Sequence, residues 1–129
     1  MKRSYYIAGF GLGLIGIILG AFATHGLKPL LPSQAMESFE TGVDYQIYHA
    51  LLLIILANMQ TLQKKTARVF LVAIIVGVLL FSGSIYLLAT NSITTPDLRI
   101  LGPVTPLGGS LLILCWGFLI WHSIKLKKK

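Results

Sequence analysis

Apolar residues fall into four long blocks along this chain, and polar residues are confined to short connections and the two ends. The first block covers residues 5–24, a run of 20 residues with no charged side chain. A run of about that length spans roughly 30 Å of hydrocarbon as a helix. Further blocks cover residues 43–60, 67–90 and 106–122, and each predicts a membrane-spanning helix. Between the first two, Met36, Phe39 and Val43 recur at spacings of three and four, which predicts a short amphipathic surface helix over residues 33–41. The expected fold is therefore all-α: a bundle of four transmembrane helices in a single domain over residues 1–129, with that surface helix between helices one and two.

Local signals place the helix ends. Gly26, Pro29 and Pro32 are expected to end helix one, and Ser33 to cap the surface helix. Gly42 is positioned to bend the chain from that helix into the second span. Thr66 is the expected cap of helix three. Thr105 is the expected cap of helix four, with Pro106 in its first position. Lys2 and Arg3 before an apolar run, followed by Ala21-Phe22-Ala23, imitate a secretory signal. The length of the run favours a retained transmembrane helix.

Composition supports the bilayer as solvent. Hydrophobic residues make up 55% of the chain and charged residues only 12%, about half the usual charged share. The mean hydropathy is +0.79. The net charge of +7 does not form a nucleic-acid footprint, because the basic residues sit at the ends of apolar runs and no basic helix carries interleaved aromatics. The N-terminus holds Lys2 and Arg3, the connection after helix two holds Lys64, Lys65 and Arg68, and the C-terminus holds Lys125, Lys127, Lys128 and Lys129. The opposite side holds Lys28 and Arg99, together with all four acids, Glu37, Glu40, Asp44 and Asp97. The excess of Lys and Arg predicts that both termini are cytoplasmic, in a plasma membrane. The lone Cys115 can form no intrachain disulfide and no thiolate metal site.

Gly9, Gly13, Gly16 and Gly20 fall on one face of helix one. Such a stripe lets another helix approach closely, and with the small size of the chain it predicts a homo-oligomer associating through that face.

Four motifs together resemble a known family: ATHGL over residues 23–27, FETGVDYQIYHALLL over 39–53, FSGSIYLLA over 81–89 and GPVTPLGGSLLILCWG over 102–117. They resemble domain-of-unknown-function family 423, small four-helix membrane proteins of bacteria with related transmembrane proteins in animals. The resemblance covers nearly the whole chain in order. It departs at Thr24, where a small residue is usual before the histidine, and at Asp44, where a basic residue is expected before the tyrosine. It implies the four-helix membrane fold and no activity.

Candidate chemistry centres on residues 39–53. Thr41, Tyr45 and His49 are successive neighbours four residues apart, and so are Asp44 and Tyr48, making a polar strip that enters the bilayer. Tyr45, Tyr48 and His49 are the expected inward-facing site. An ionisable group at membrane depth is a functional candidate. His49 either relays protons or binds a metal, or is a neutral histidine bonded to a neighbouring helix through Ser82, Ser84 or Tyr86. Glu37, Glu40 and Asp44 line one flank, read as a solvated face, as a cation entry patch or as partners of Lys28 and Arg99. His25 and His49 with Glu40 or Asp44 have the ligand types for zinc, but no metal-binding spacing links them, so no metal is expected. Ser82, Ser84, Tyr86 and Thr105 lack a nucleophile-elbow pattern and read as helix glue. Gly108-Gly109 reads as close packing or as a lipid-phosphate contact.

The expected function is a lipid-associated or scaffold membrane protein with no cofactor and no enzymatic activity. The alternative is a small-molecule, ion or proton carrier or channel that uses the polar strip. A third class, an enzyme on lipid substrates, has no catalytic constellation to support it. A continuous wetted path would count against the first reading, and the lack of a cavity beside His49 would exclude the carrier.

Overall fold

The computed structural model describes residues 2–59, 61–94 and 96–127. Its four spans, Lys2–Leu27, Ser33–Met59, Lys64–Ala89 and Arg99–Lys125, are 26 or 27 residues long and apolar enough to cross a membrane. There is no strand among the described residues. At 1.5 Å per residue each span reaches about 40 Å, which overshoots about 30 Å of hydrocarbon and leaves several residues in the headgroup layers. Gln60, expected at the end of helix two, and Lys128 and Lys129 of the basic tail lie outside the described residues.

Helix α1, Lys2–Phe22, does not stop at residue 24. It continues into a π-helical turn, Ala23–Leu27, in which the Lys28 N–H donates to the Ala23 carbonyl at 2.9 Å. The chain reverses only after Leu27, whose carbonyl accepts from both Leu30 and Leu31.

Helix α2, Ser33–Met59, is continuous, so the expected short helix over residues 33–41 and the second span are one element with no break at Gly42. Packing removes the freedom that a glycine hinge needs. Gly42 is buried, a Cβ there would lie 2.8 Å from the Tyr86 ring, and its carbonyl accepts the Ser82 hydroxyl at 2.7 Å. The expected cap Ser33 is the first residue of this helix, and the Met36 N–H donates to the Pro32 carbonyl.

The third span has an interruption that periodicity does not reveal. Helix α3, Lys64–Val78, passes through a π-helical turn, Leu79–Gly83, into α4, Ser84–Ala89. Helix α5 is Val104–Lys125. Neither α3 nor α5 has the expected side-chain cap. Helix α3 starts two residues before Thr66, and α5 starts before Thr105, whose hydroxyl bonds to Ser84 instead. Between α4 and α5, Asn91 organises the connection, donating to the Pro96 carbonyl at 2.6 Å and accepting from the Leu98 N–H at 3.1 Å. Arg99 and Asp97 form an exposed ion pair at 2.8 Å there, and the guanidinium holds the Asp97 carboxyl below the usual carboxylate range.

The helices pack in the order α1, α2, α3–α4, α5, with α1 against α2 and α5 against α3 and the π-turn. The glycine stripe of α1 meets α2 of the same chain. A Cβ at Gly9 would lie 2.8 Å from Ile54 and 2.9 Å from the Ala50 carbonyl oxygen, one at Gly16 would lie 3.0 Å from Ile47, and one at Gly20 would lie 3.4 Å from Val43. The face expected to join two copies is therefore covered within one chain. Gly77 and Gly108 do the same for α3 and α5. A Cβ at Gly108 would lie 2.7 Å from the Leu80 carbonyl carbon, so α5 touches the backbone of the π-turn. Two apolar clusters result. One, at the end bearing the acids, joins Leu27, Leu31, Phe39, Val43 and Ala89. The other joins Tyr5, Leu53, Leu56, Phe70, Ile74, Leu112 and Cys115 towards the basic end. In lipid such packing relies on shape and on helix–helix hydrogen bonds, because hydrocarbon solvates a leucine as well as a protein core does.

Gly108→Ala should lower stability by about 1–3 kcal/mol, because the clash is with backbone. Gly117→Ala, whose Cβ would meet nothing within 4 Å, should change it by less than about 0.5 kcal/mol. Reversible unfolding in mixed micelles measures both.

Candidate functional site

Between the two apolar clusters lies a layer of four buried polar residues: Gln46 and His49 on α2, Ser82 in the π-turn and Ser84 at the start of α4. A bare polar group in hydrocarbon is costly, and each of these four is satisfied. The Gln46 amide donates to the Leu12 carbonyl of α1 at 2.8 Å and accepts from the Tyr86 hydroxyl of α4 at 2.7 Å. Ser82 donates to the Gly42 carbonyl. Ser84 donates to the Phe81 carbonyl at 3.0 Å, so the hydrogen in its contact with Thr105 comes from Thr105.

His49 is 2% exposed and is held from both sides. Its Nδ1 lies 2.7 Å from the Tyr45 carbonyl oxygen, and the Trp116 indole N–H of α5 donates to its Nε2 at 3.0 Å. A carbonyl only accepts and an indole only donates. The geometry thus fixes the neutral imidazole with its proton on Nδ1 and its lone pair on Nε2. Protonating Nε2 would set two N–H groups against each other. His49 is bonded to a neighbouring helix, but to α5 through Trp116 and not to Ser82, Ser84 or Tyr86.

The expected inward-facing site divides. Tyr45 is 42% exposed and Tyr48 is 55% exposed, so neither joins His49 in the interior. Tyr45 packs at a tilt against Phe81, with ring centroids 5.0 Å apart, and against Tyr48 at 5.6 Å. Tyr48 projects from the bundle because it is one residue before His49 on the same helix, about 100° around it. His25, Glu40 and Asp44 are exposed and do not converge with His49. No three His, Cys, Asp or Glu residues gather at one point among the described residues. Two residues important here, Gln46 and Trp116, were not singled out from the sequence. Gln46 could have been found from its place three residues before His49, which puts it on the same helix face.

Helices α2 and α5 do not close on each other beyond the His49–Trp116 bond. A groove of about 550 Å³ opens there, with Tyr45 and His49 on the α2 wall, Phe81 at its floor, and Gly109, Leu112, Ile113, Trp116, Gly117 and Ile120 on the α5 wall. The cavity beside His49 that a carrier requires is present. Its walls are apolar apart from the Tyr45 hydroxyl and the mutually bonded His49 and Trp116.

The fold and this layer define an integral membrane protein of four spans whose four buried polar residues are each hydrogen-bonded, largely between helices. The chain belongs to the DUF423 family of proteins of unknown function, whose model matches residues 19–109. It is 34% identical over 127 residues to the UPF0382 membrane protein of Haemophilus influenzae, covering 98% of both chains. It is also 34% identical over 127 residues to the UPF0382 membrane protein YwdK of Bacillus subtilis, covering 95% of this chain and 98% of that one. To the UPF0382 inner membrane protein YgdD of Escherichia coli K12 it is 34% identical over 120 residues, covering 91% and 86%. No solved structure matches the chain.

Trp116→Phe should cost about 1–3 kcal/mol by leaving the His49 lone pair without a donor. A double-mutant cycle with His49→Leu should return a coupling of roughly 0.6–1.7 kcal/mol, read from unfolding in detergent. A coupling of zero would show that the bond does not hold α5 to α2.

Proposed function

We propose that this protein is a lipid-binding protein of the bacterial plasma membrane, with both termini in the cytoplasm, and that the groove between α2 and α5 is its ligand site. One observation carries this reading. The groove is a concave, mostly apolar recess that no described helix covers, at a depth where the surrounding solvent is acyl chain. Its volume is within the range of small-molecule sites. The His49–Trp116 pair fixes the distance between the walls, so the recess is preformed.

The carrier reading has its own support, the cavity beside His49 and the polar strip leading to it. Past His49, however, the same face of the core continues with buried Leu52, Leu53 and Leu56. A transport path would have to open through that apolar packing. The homo-oligomer expected from the small size would form through the exposed faces of α1 or α5, since α2 already covers the glycine stripe.

Native mass spectrometry of the detergent-extracted chain should show a retained lipid, together with the oligomer size. Gly117→Leu places a side chain in the groove and should reduce the retained lipid by about tenfold, a loss of about 1.4 kcal/mol of binding. Equal retention in the variant would sink the groove as the site. For orientation, a cysteine at position 127 should react with an impermeant maleimide only after the cells are opened, and one at position 28 should react in intact cells. The reverse pattern would overturn the placement of the termini.

A further inference from the structure

A second cavity, of about 590 Å³, lies towards the acidic end, between the first half of α2, α4 and the start of α5. It shares three walls with the groove. Tyr45 of the groove is one helical turn from Thr41 of the outer cavity, Phe81 is one turn from Ile85, and Gly109 is one turn from Thr105. Four residues advance about 6 Å along a helix, so the two recesses stack along the membrane normal. The continuity of α2 through Gly42 adds a further feature. Gln34, Ser38, Thr41, Tyr45 and His49 follow at helical spacings on one face, and each of them lines one of the two recesses. One wall of the crevice thus carries uncharged polar groups from the interface down to His49. The facing wall on α5, residues 109–120, covers about 16 Å, close to the depth of one leaflet.

The chemistry changes with depth. The outer recess is lined by the Gln34 amide and the hydroxyls of Ser38, Thr41 and Thr105, and by no ionisable side chain. The Lys and Arg residues at this end are Lys28 and Arg99. Neither lines the recess, and Arg99 is paired with Asp97. Glu37, Glu40 and Asp44 lie exposed on the neighbouring flank of α2. An anionic headgroup would therefore lose water without gaining a cation. The groove below offers apolar surface for a chain.

On the reading that the groove binds lipid, we propose that the crevice selects a lipid with an uncharged, hydroxyl-bearing headgroup, a diacylglycerol or its glycosyl derivative. The head occupies the outer recess. One acyl chain runs along α5 to the His49–Trp116 pair.

Trp116 supplies the readout. The chain has two tryptophans, so full-length Trp121→Phe protein reports on the groove alone. It is reconstituted in phosphatidylcholine vesicles containing a minor fraction of chain-brominated diacylglycerol, glycosyl diacylglycerol, phosphatidylcholine or phosphatidylglycerol, and quenching of Trp116 is measured. The hydroxyl lipids should associate about 2- to 10-fold more tightly than phosphatidylcholine, the range expected for one or two net hydrogen bonds. Phosphatidylglycerol should be weakest. The stronger of the two hydroxyl lipids identifies the source of the headgroup. Ser38→Ala with Thr41→Val should remove the preference while leaving chain quenching intact, and Gly117→Leu should remove the excess quenching for all four lipids. Excess quenching that is equal for every headgroup, or greatest for phosphatidylglycerol, overturns the headgroup proposal and leaves the groove standing. Quenching at the random-mixing level for every lipid, unchanged by Gly117→Leu, overturns the groove itself.

Discussion

A single side chain, Gln46, ties three of the four spans together. Its amide uses both ends at once, donating to the backbone of α1 and accepting from Tyr86 of α4. In water this bridge would compete with solvent. In hydrocarbon no other partner is within reach, and the helices must hold the register that satisfies it. Gly16 lies beside this bond and lets α1 approach α2, since a Cβ there would crowd Ile47 at 3.0 Å. The Ser82 bond to Gly42 joins the π-turn to α2 nearby, and the Tyr86 ring of α4 packs against the same glycine. Helix–helix hydrogen bonds in bilayers average about 0.6 kcal/mol each, so it is register, more than bulk stability, that this layer supplies.

The π-turn at Leu79–Gly83 is the second constraint. A π-turn spends an extra residue per turn and changes the faces that follow it. Here it lets Ser82 point to α2 while the backbone of Leu80 and Phe81 meets Gly108 of α5. The third span can then contact helices on both sides. It also sets Phe81 at the floor of the groove, against Tyr45. The recess between α2 and α5 is what remains when both helices rest on the third span and touch each other chiefly through His49 and Trp116.

His49 illustrates how a residue type can suggest chemistry that its surroundings do not support. An imidazole at membrane depth invites a proton or metal role. Its two nitrogens are instead committed to a carbonyl and an indole N–H, which fixes one neutral tautomer and leaves no free lone pair for a metal. What the structure assigns to it is positional: it bonds α2 to α5 through Trp116 and lines the groove between them.

Four spans and a membrane were legible in the residues alone, because hydrocarbon thickness imposes a length and a composition that can be read residue by residue, and four motifs carried the resemblance to the family. The sequence also identified the polar residues around His49, because charge and hydroxyl groups are rare enough in this chain to stand out. Tertiary structure decided which of them meet. The glycine stripe reads the same whether it faces another copy or another helix of the same chain, and only packing shows that α2 covers it. Gly42 reads as a hinge, and only the Tyr86 ring and the Ser82 bond show why the helix stays unbroken. Gln46 and Trp116 are single polar or amphipathic residues among apolar ones, and their importance comes from partners 34 to 67 residues away. Periodicity specifies the face a residue occupies, but the neighbour it meets is settled only when the helices pack.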